Sequence, residues 1–305
     1  MSLTVKEILT LSCLNGVGAK TIFKVASQAG ENLIGKVKEC GLKVSENGLK
    51  VPCDMNHLDD AQKKAEMIMK NCASYGIGII SYYDDQYPDK LRMTIDQDGK
   101  QCPPALIYYK GDVSLLKKKA LTVIGTRNPN DDGKKAARYL SKSFSEAGLV
   151  IVSGLAIGCD SEGHKGAIDA HASTIAVMAG GLDSIYPKEN EGLAQEIIDN
   201  GGLLISEYAP LNKVNKFTLV DRDRLQAALA DATLVIQAGV KSGTMHAAKT
   251  TLKAKKPLFV TYYNNEATRN NEVCSGNEYL MTMGAKYLKG NDDLKKIADN
   301  ILNHE

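Results

Sequence analysis

Several short glycine-bearing segments in this chain carry the residue types suited to holding an anion. They are Gly125, Thr126, Arg127 and Asn128; Ser153, Gly154 and Leu155 running on to Gly158 and Asp160; Gly180, Gly181, Leu182 and Asp183; and Lys241, Ser242, Gly243 and Thr244. Glycine lets backbone N–H groups approach a phosphate with no Cβ in the way. A helix that begins just beyond turns its unpaired N–H groups and the positive end of its dipole toward the same point. Cations fall in or beside these segments: Arg127, Lys188, Arg222, Arg224 and Lys241. The arginine fork suits bidentate phosphate contact, whereas lysine supplies a point charge. Each segment also has a plainer reading, in which glycine serves only a turn, and Ser242, Thr244 or Asp160 only caps the following helix. Capping and anion binding are compatible at one helix start, and several such loops on one edge make a phosphate cradle.

Other chemistries find less support. Ser153 has no evident histidine and carboxylate partners for a hydrolytic triad. His57, His171, His246 and His304 form no paired metal motif, no cysteine spacing matches a zinc site, and neither metal nor cofactor is expected. His164 reads as a buried or supporting histidine. Asp221 and Asp223 could hold magnesium, but beside Arg222 and Arg224 they more simply form ion pairs at a helix start. The first loop is not G-x-G-x-x-G, which counts against a dinucleotide-dependent oxidoreductase.

What must position these loops is a regular alternation after Lys119. β-branched and apolar runs near 121–125, 149–153, 173–178, 203–205, 233–236 and 257–261 are separated by helical stretches near 133–147, 161–170, 190–200, 222–230 and 243–254. Such alternation predicts a Rossmann-like α/β fold, a mostly parallel sheet with helices on both faces and ligands at the carboxyl ends of the strands. Ahead of it, residues 1–75 read as a small helical domain of SAM or helix-hairpin-helix type, with helices near Val5–Cys13, from Lys20, and over Leu58–Ala73, and a polar, glycine-bearing connection. Residues 76–110 read as a linker or extension packing on the core, and 111–305 as the Rossmann-like domain. A final helix is expected over Asp292–Leu302.

The totals agree with two soluble domains: 305 residues, 43% hydrophobic and 24% charged. The apolar runs are of strand length and no secretory leader is evident, so a cytoplasmic location is expected. Cys13, Cys40, Cys53, Cys72, Cys102, Cys159 and Cys274 are scattered with no C-x-x-C pair and read as reduced thiols. A net charge of +2 is too mild to announce nucleic acid, so any anion site is local.

Taken in order, the motifs resemble the DNA-processing protein A family, also called DprA or Smf. The resemblance rests on Thr122 to Arg127; Val152 to Ala156 with Gly158, Asp160, His164, Gly166 and Ala167; Gly181 to Asp183 followed by Tyr186, Pro187, Lys188 and Asn190; and Ser206 to Tyr208. It continues through Arg222 and Arg224, Lys241 to Thr244, Gly276 with Asn277, and Gly284 with Ala285. Tyr87, Pro88, Leu91, Pro104, Leu106, Tyr108 and Gly111 are similar to the segment preceding the Rossmann-like domain there.

The resemblance implies a non-enzymatic binding protein that protects single-stranded DNA and helps load a RecA-type recombinase in natural transformation, recombination or repair, as a homodimer. It implies that Arg127 and Lys188 contact the DNA backbone while the Ser153–Gly154–Leu155 and Ser242–Gly243–Thr244 loops complete the pocket, with Gly125, Thr126, Gly181, Arg222, Arg224 and Lys241 beside them. The stretch Leu14–Lys20 looks like a helix-hairpin-helix turn, so Lys20 is a further candidate contact. Departures are plain. Ile157-Gly158-Cys159 stands where the family usually has Arg-Gly-Ile, and Arg222-Asp223-Arg224 where it has Arg-Asn-Arg; no winged-helix module is expected after residue 305. A carboxylate at Asp223 should weaken DNA binding unless it is paired away. The alternative is a sensor or hydrolase of a free nucleotide in a defence or signalling role. For hydrolysis, the loop at Lys241–His246 lacks the proline and glutamate of phosphoribohydrolase relatives.

Overall fold

Runs such as Ala120–Ile124 and Thr174–Met178 are buried at every position, which an alternating, one-sided strand could not be. They form central parallel strands covered on both faces. The computed structural model describes residues 3–29 and 55–303; the polar connection expected near residue 40, together with Cys40 and Cys53, lies outside the described residues. In chain order the elements are α1 (Val5–Ser12), α2 (Ala19–Ala29), α3 (Met55–Ser74), β1 (Gly78–Ser81), α4 (Asp89–Arg92), β2 (Leu106–Gly111), β3 (Ala120–Ile124), α5 (Asp131–Glu146), β4 (Val150–Ser153), α6 (Cys159–Asp169) and β5 (Thr174–Met178). There follow α7 (Glu191–Asp199), β6 (Leu203–Ser206), α8 (Lys216–Leu229), β7 (Ala232–Val235), α9 (Thr244–Lys253), β8 (Leu258–Thr261), α10 (Glu266–Arg269), α11 (Ser275–Thr282), β9 (Lys286–Leu288) and α12 (Asn291–Asn303).

The sheet has nine strands in the order β1-β2-β6-β5-β4-β3-β7-β8-β9. β2 pairs antiparallel with both β1 and β6, and the remaining neighbours are parallel. The fold is therefore the mixed α/β, mostly parallel sheet expected. From β3 the chain steps outward through β4, β5 and β6, then returns to lay β7 on the other side of β3. The loops leaving β3 and β7 diverge there, which makes a topological switch point. Segment 76–110 contributes β1 and β2 to the sheet edge.

Leu121, Val123, Ile151 and Leu234 pack on one face beneath Ala137, Phe144, Ile297 and Ile301 of α5 and α12. On the other face Val152, Ile175 and Val177 meet Leu225 and Leu229 of α8, while Val235 and Val260 meet Met245 and Ala248 of α9. A further cluster runs unbroken from Ile8, Leu9, Leu11, Ile22 and Leu58 of α1–α3, through Leu106 and Tyr108 of β2, to Met178, Leu204 and Ile197. α1 opens on a capping box in which Thr4 and Glu7 satisfy each other's backbone N–H.

Two boundaries depart from the sequence pattern in ways that matter for the site. α8 begins at Lys216, earlier than the expected 222, because Asn215 and Thr218 form a capping box. Arg222, Asp223 and Arg224 thus sit inside a helix rather than at its start. α6 begins at Cys159, with Gly158 as its N-cap, so Asp160 is not the cap. β9 and α11 have no counterpart among the expected elements.

Candidate functional site

The loop leaving β3 lies against the start of α6 because residue 125 is glycine: a Cβ there would stand 2.4 Å from Cys159 Sγ. Thr126 N–H donates to Gln237 O (2.7 Å) beyond β7, and Asn130, the N-cap of α5, accepts from Gln237 Nε2 (2.8 Å). These bonds tie together the two loops that diverge at the switch point. Between them, roofed by α8 and the first turn of α9, opens a cavity of about 420 Å³ whose walls include Gly125, Thr126, Arg127, Lys216, Ser242 and Thr244. A second cavity of about 220 Å³ shares Arg127, Ala156, Leu219 and Arg222 with the first and extends it past Ile157 and Tyr186. Together they form one groove along the carboxyl edge.

The groove floor is a buried polar network. Arg222 is buried and donates from Nη1 to Gly154 O (2.6 Å) and Val177 O (3.0 Å), and from Nε to Asp223 Oδ1 (3.1 Å). Gly154 is required here, since a Cβ would fall 1.7 Å from Arg222 Nη1. Asp160 Oδ2 accepts from Gly154 N–H (3.1 Å). Gln226, with its amide turned to suit both neighbours, donates to Asp223 Oδ1 (3.2 Å) and accepts from Gly154 N–H (2.7 Å). Burial pushes the Asp223 carboxyl up to about 6, with Arg222 and Arg127 opposing that rise and Asp160 adding to it. Burial likewise raises Asp160 against the pull of Arg222. The carboxylate at 223 is thus paired with the neighbouring arginine.

The rim is different in kind. Arg127, Lys188, Lys216 and Lys241 are exposed, and among the described residues none has a carboxylate within ion-pair distance. Ser242 Oγ is buried with no hydrogen-bond partner among the described residues. Beside it α9 starts at Thr244 with Gly243 as N-cap and no side-chain cap; the Met245 and His246 N–H groups donate to Ser242 O (3.2 Å) and Gly243 O (2.9 Å), which leaves the Gly243 and Thr244 N–H groups without a partner among the described residues. Tyr186 and Phe217 are 46% and 69% exposed, and the Lys216 ammonium lies 5.0 Å from the Phe217 ring centroid. These aromatic groups and Lys216 were missed from the sequence; Tyr186 beside Lys188 in a strand-end loop was the available signal.

The structure brings Gly125, Thr126, Arg127, Ser242, Gly243 and Thr244 together, with Lys188 and Lys241 on exposed loops of the same edge. Other candidates fall elsewhere. Ser153 is fully buried and donates to Val123 O (2.6 Å), and Leu155 is buried with its carbonyl accepting from Asn190 Nδ2 (2.8 Å). Ser153 is a core residue because a strand's last position still packs into the sheet, and Leu155 because the loop beyond β4 turns its side chain into the apolar cluster around Met178 and Leu182. Arg222 belongs to the floor, its fork spent on backbone carbonyls and Asp223. Arg224 points away, bonding Cys102 O (3.2 Å) and pairing with Glu207. Gly181 lines a separate cavity with Asn212 and Lys213. Lys20 pairs with Asp96 (3.5 Å). His164 is fully buried, its Nδ1 2.8 Å from Thr174 Oγ1, and burial holds it far down at about 3, so it is a neutral core group.

A doubly wound, mostly parallel α/β sheet with a cation-rimmed groove at its switch point defines the class of Rossmann-like proteins. Within it, the chain belongs to the DNA recombination-mediator protein A family, whose model matches residues 78–299. It is 31% identical over 252 residues to the DNA processing protein DprA of Bacillus subtilis, covering 82% of this chain and 81% of that one. With the DprA of Streptococcus pneumoniae it shares 33% over 214 residues, 70% of this chain and 72% of the other. The solved structure of the Streptococcus pneumoniae protein superposes with a TM-score of 0.73 at 26% identity, covering 97% and 98% of the two chains. The DNA processing protein A of Helicobacter pylori, solved for its single-stranded DNA binding mode, gives 0.62 at 31% identity over 74% of this chain and 95% of that one. Among the described residues no helix is long and apolar enough to cross a membrane.

Proposed function

We propose that this protein binds single-stranded DNA through its phosphates along the carboxyl-edge groove, without turning it over, and helps load a RecA-type recombinase docked elsewhere. The observation that carries the reading is the rim: among the described residues, exposed cations without an ion-pair partner line it beside exposed aromatic rings, and the unpartnered Ser242 hydroxyl stands at the start of α9. Phosphates meet Arg127, Lys188, Lys216 and Lys241 and the Gly243 and Thr244 amides at the start of α9, while bases stack on Tyr186 and Phe217 with little sequence preference. The single-stranded DNA binding of the Helicobacter pylori relative supports the same reading. The proposal includes a homodimer in the cytoplasm, acting in DNA uptake, recombination or repair. It also includes a chain organised as helices to residue 75, an extension over 76–110 and the Rossmann-like unit from 111.

The test is fluorescence anisotropy with labelled poly-dT at two salt concentrations, competed by duplex DNA and by free nucleotides. Salt-sensitive binding that duplex and nucleotides displace poorly is the expected result. Displacement by a single nucleotide would replace the reading with a small-ligand sensor.

A further inference from the structure

The loop from Thr126 to Asn130 has a second neighbour. Its first residues line the groove, and the helix it enters, α5, lines a separate cleft of about 330 Å³ against the carboxyl ends of β8 and β9. Asp132, Lys135 and Tyr139 form one wall and Tyr262, Leu288 and Lys289 the other. The two openings therefore lie on the same edge of the sheet, and the chain between Arg127 and Asp132 spans at most about 17 Å.

The cleft sets the Tyr139 and Tyr262 rings beside Lys135 and Lys289, and a further ring, Tyr287, and Arg269 back its wall. Tyr262 and Tyr287 meet edge to face, with ring centroids 5.2 Å apart. The Lys289 ammonium lies 5.5 Å from the first ring and 5.7 Å from the second, and the Arg269 guanidinium 5.3 Å from the first. Among the described residues, Lys135 and Lys289 have no carboxylate within ion-pair distance, whereas Arg269 spends its Nη1 on the Tyr262 hydroxyl (3.0 Å) and Tyr263 O (3.0 Å) and so braces the cleft wall. Tyr139 stands 53% exposed at the mouth, and its hydroxyl lies 2.9 Å from Asn291 Oδ1, which fixes the ring in place. The acidic group within the cleft, Asp132, has its Oδ2 engaged by Thr268 Oγ1 and by Asn265 Nδ2 (3.2 Å).

We infer that this cleft is a second site for single-stranded nucleic acid, stacking a base on the Tyr139 ring and holding its phosphates with Lys135 and Lys289. The inference rests on the groove as a strand-binding site and extends it: a strand leaving the groove past Arg127 crosses the 126–130 loop and enters the cleft. Rings and unpaired cations interleaved along a path are the arrangement that holds a strand without reading its sequence.

The experiment compares two labelled oligothymidylates on the full chain, one of about 5 and one of about 20 nucleotides, bracketing the span of a single stacking platform. Tyr139→Ala with Lys289→Ala should weaken the long strand roughly tenfold, as expected for one stacked base and one phosphate contact, and leave the short one unchanged. The salt slope for the long strand should flatten by about 0.7. Tyr139→Phe, which keeps the ring, should bind like the parent; a loss equal to that of alanine would overturn stacking there. Arg127→Ala should weaken both strands. If Arg127→Ala does so while the Tyr139 and Lys289 variants, checked by thermal melting, bind the long strand unchanged, the cleft is overturned and the groove stands. If the Arg127 variant binds both strands normally and only the cleft variants lose affinity, the groove reading fails and the cleft remains.

Discussion

Floor and rim of the groove use the same residue types to opposite ends. On the floor, Arg222 and Asp223 are buried, and each polar group is spent on another part of the protein: Gly154 O, Val177 O, Gln226. On the rim, Arg127 and Lys241 are exposed and uncommitted among the described residues. A buried arginine that bonds two strand-end carbonyls holds β4 and β5 in register with α8; an exposed one is available to a ligand. Charge alone therefore does not mark a binding residue, and burial with committed donors separates builders from binders.

Sharpening that contrast begins with its strongest member. Arg222→Ala leaves the buried Asp223 carboxylate and two carbonyls without that donor, and Asp160 without its countercharge, so unfolding in urea should show a loss of about 3–5 kcal/mol. A comparable affinity loss with no loss of stability would move Arg222 to the rim. Next comes the pH response of Asp223. Its folded value, about 6, lies above its unfolded one. Its contribution to stability is therefore fully present below the unfolded value and is lost as pH rises through about 6. Relative to Asp223→Asn, the parent should lose on the order of 2–3 kcal/mol between about pH 4 and pH 7 in denaturant titrations. Protonation also removes a negative charge near Arg127, so DNA affinity in the parent should strengthen as pH falls over the same range, and the asparagine variant should flatten that trend.

On the rim, Arg127→Ala and Lys188→Ala should each weaken strand binding by about 1–2 kcal/mol and flatten the log–log salt slope by about 0.7 for each phosphate no longer neutralised, with melting temperatures unchanged. Unaltered titrations would remove these two residues from the interface. The smallest effect belongs to Ser153→Ala, which deletes one core hydrogen bond: about 1 kcal/mol of stability, and no change in DNA affinity.

Much of the fold was legible because central parallel strands are continuous apolar runs, and β3 to β8 fall within a residue or two of their expected positions. β9 has three residues, with only Leu288 buried, and so carries no periodic signal. The start of α8 was misplaced because its cap, Asn215 with Thr218, precedes a segment with weak sidedness; that shift turned the inward-facing Arg222 into an apparent loop cation. Glycines marked the 125–128 and 241–244 loops that meet at the switch point and equally the 180–183 loop, which lines a separate cavity. They carried no information about which way Ser153 and Leu155 face, because orientation at a strand's end is decided by the packing of the sheet beneath. Tyr186 and Phe217 were hidden for a related reason: an aromatic residue is read as core until its exposure is known.

The unbroken apolar cluster that joins α1–α3 to β2, β5, β6 and α7 bears on how force passes through the molecule. The N-terminal helices act as a buttress on the flank of the sheet, because swinging them away would wet Leu106, Tyr108, Met178 and Leu204 at once, at about 25 cal/mol for each Å² of apolar surface exposed. Under the proposed function, tension on a strand in the groove would be carried into the helices as well as into the sheet.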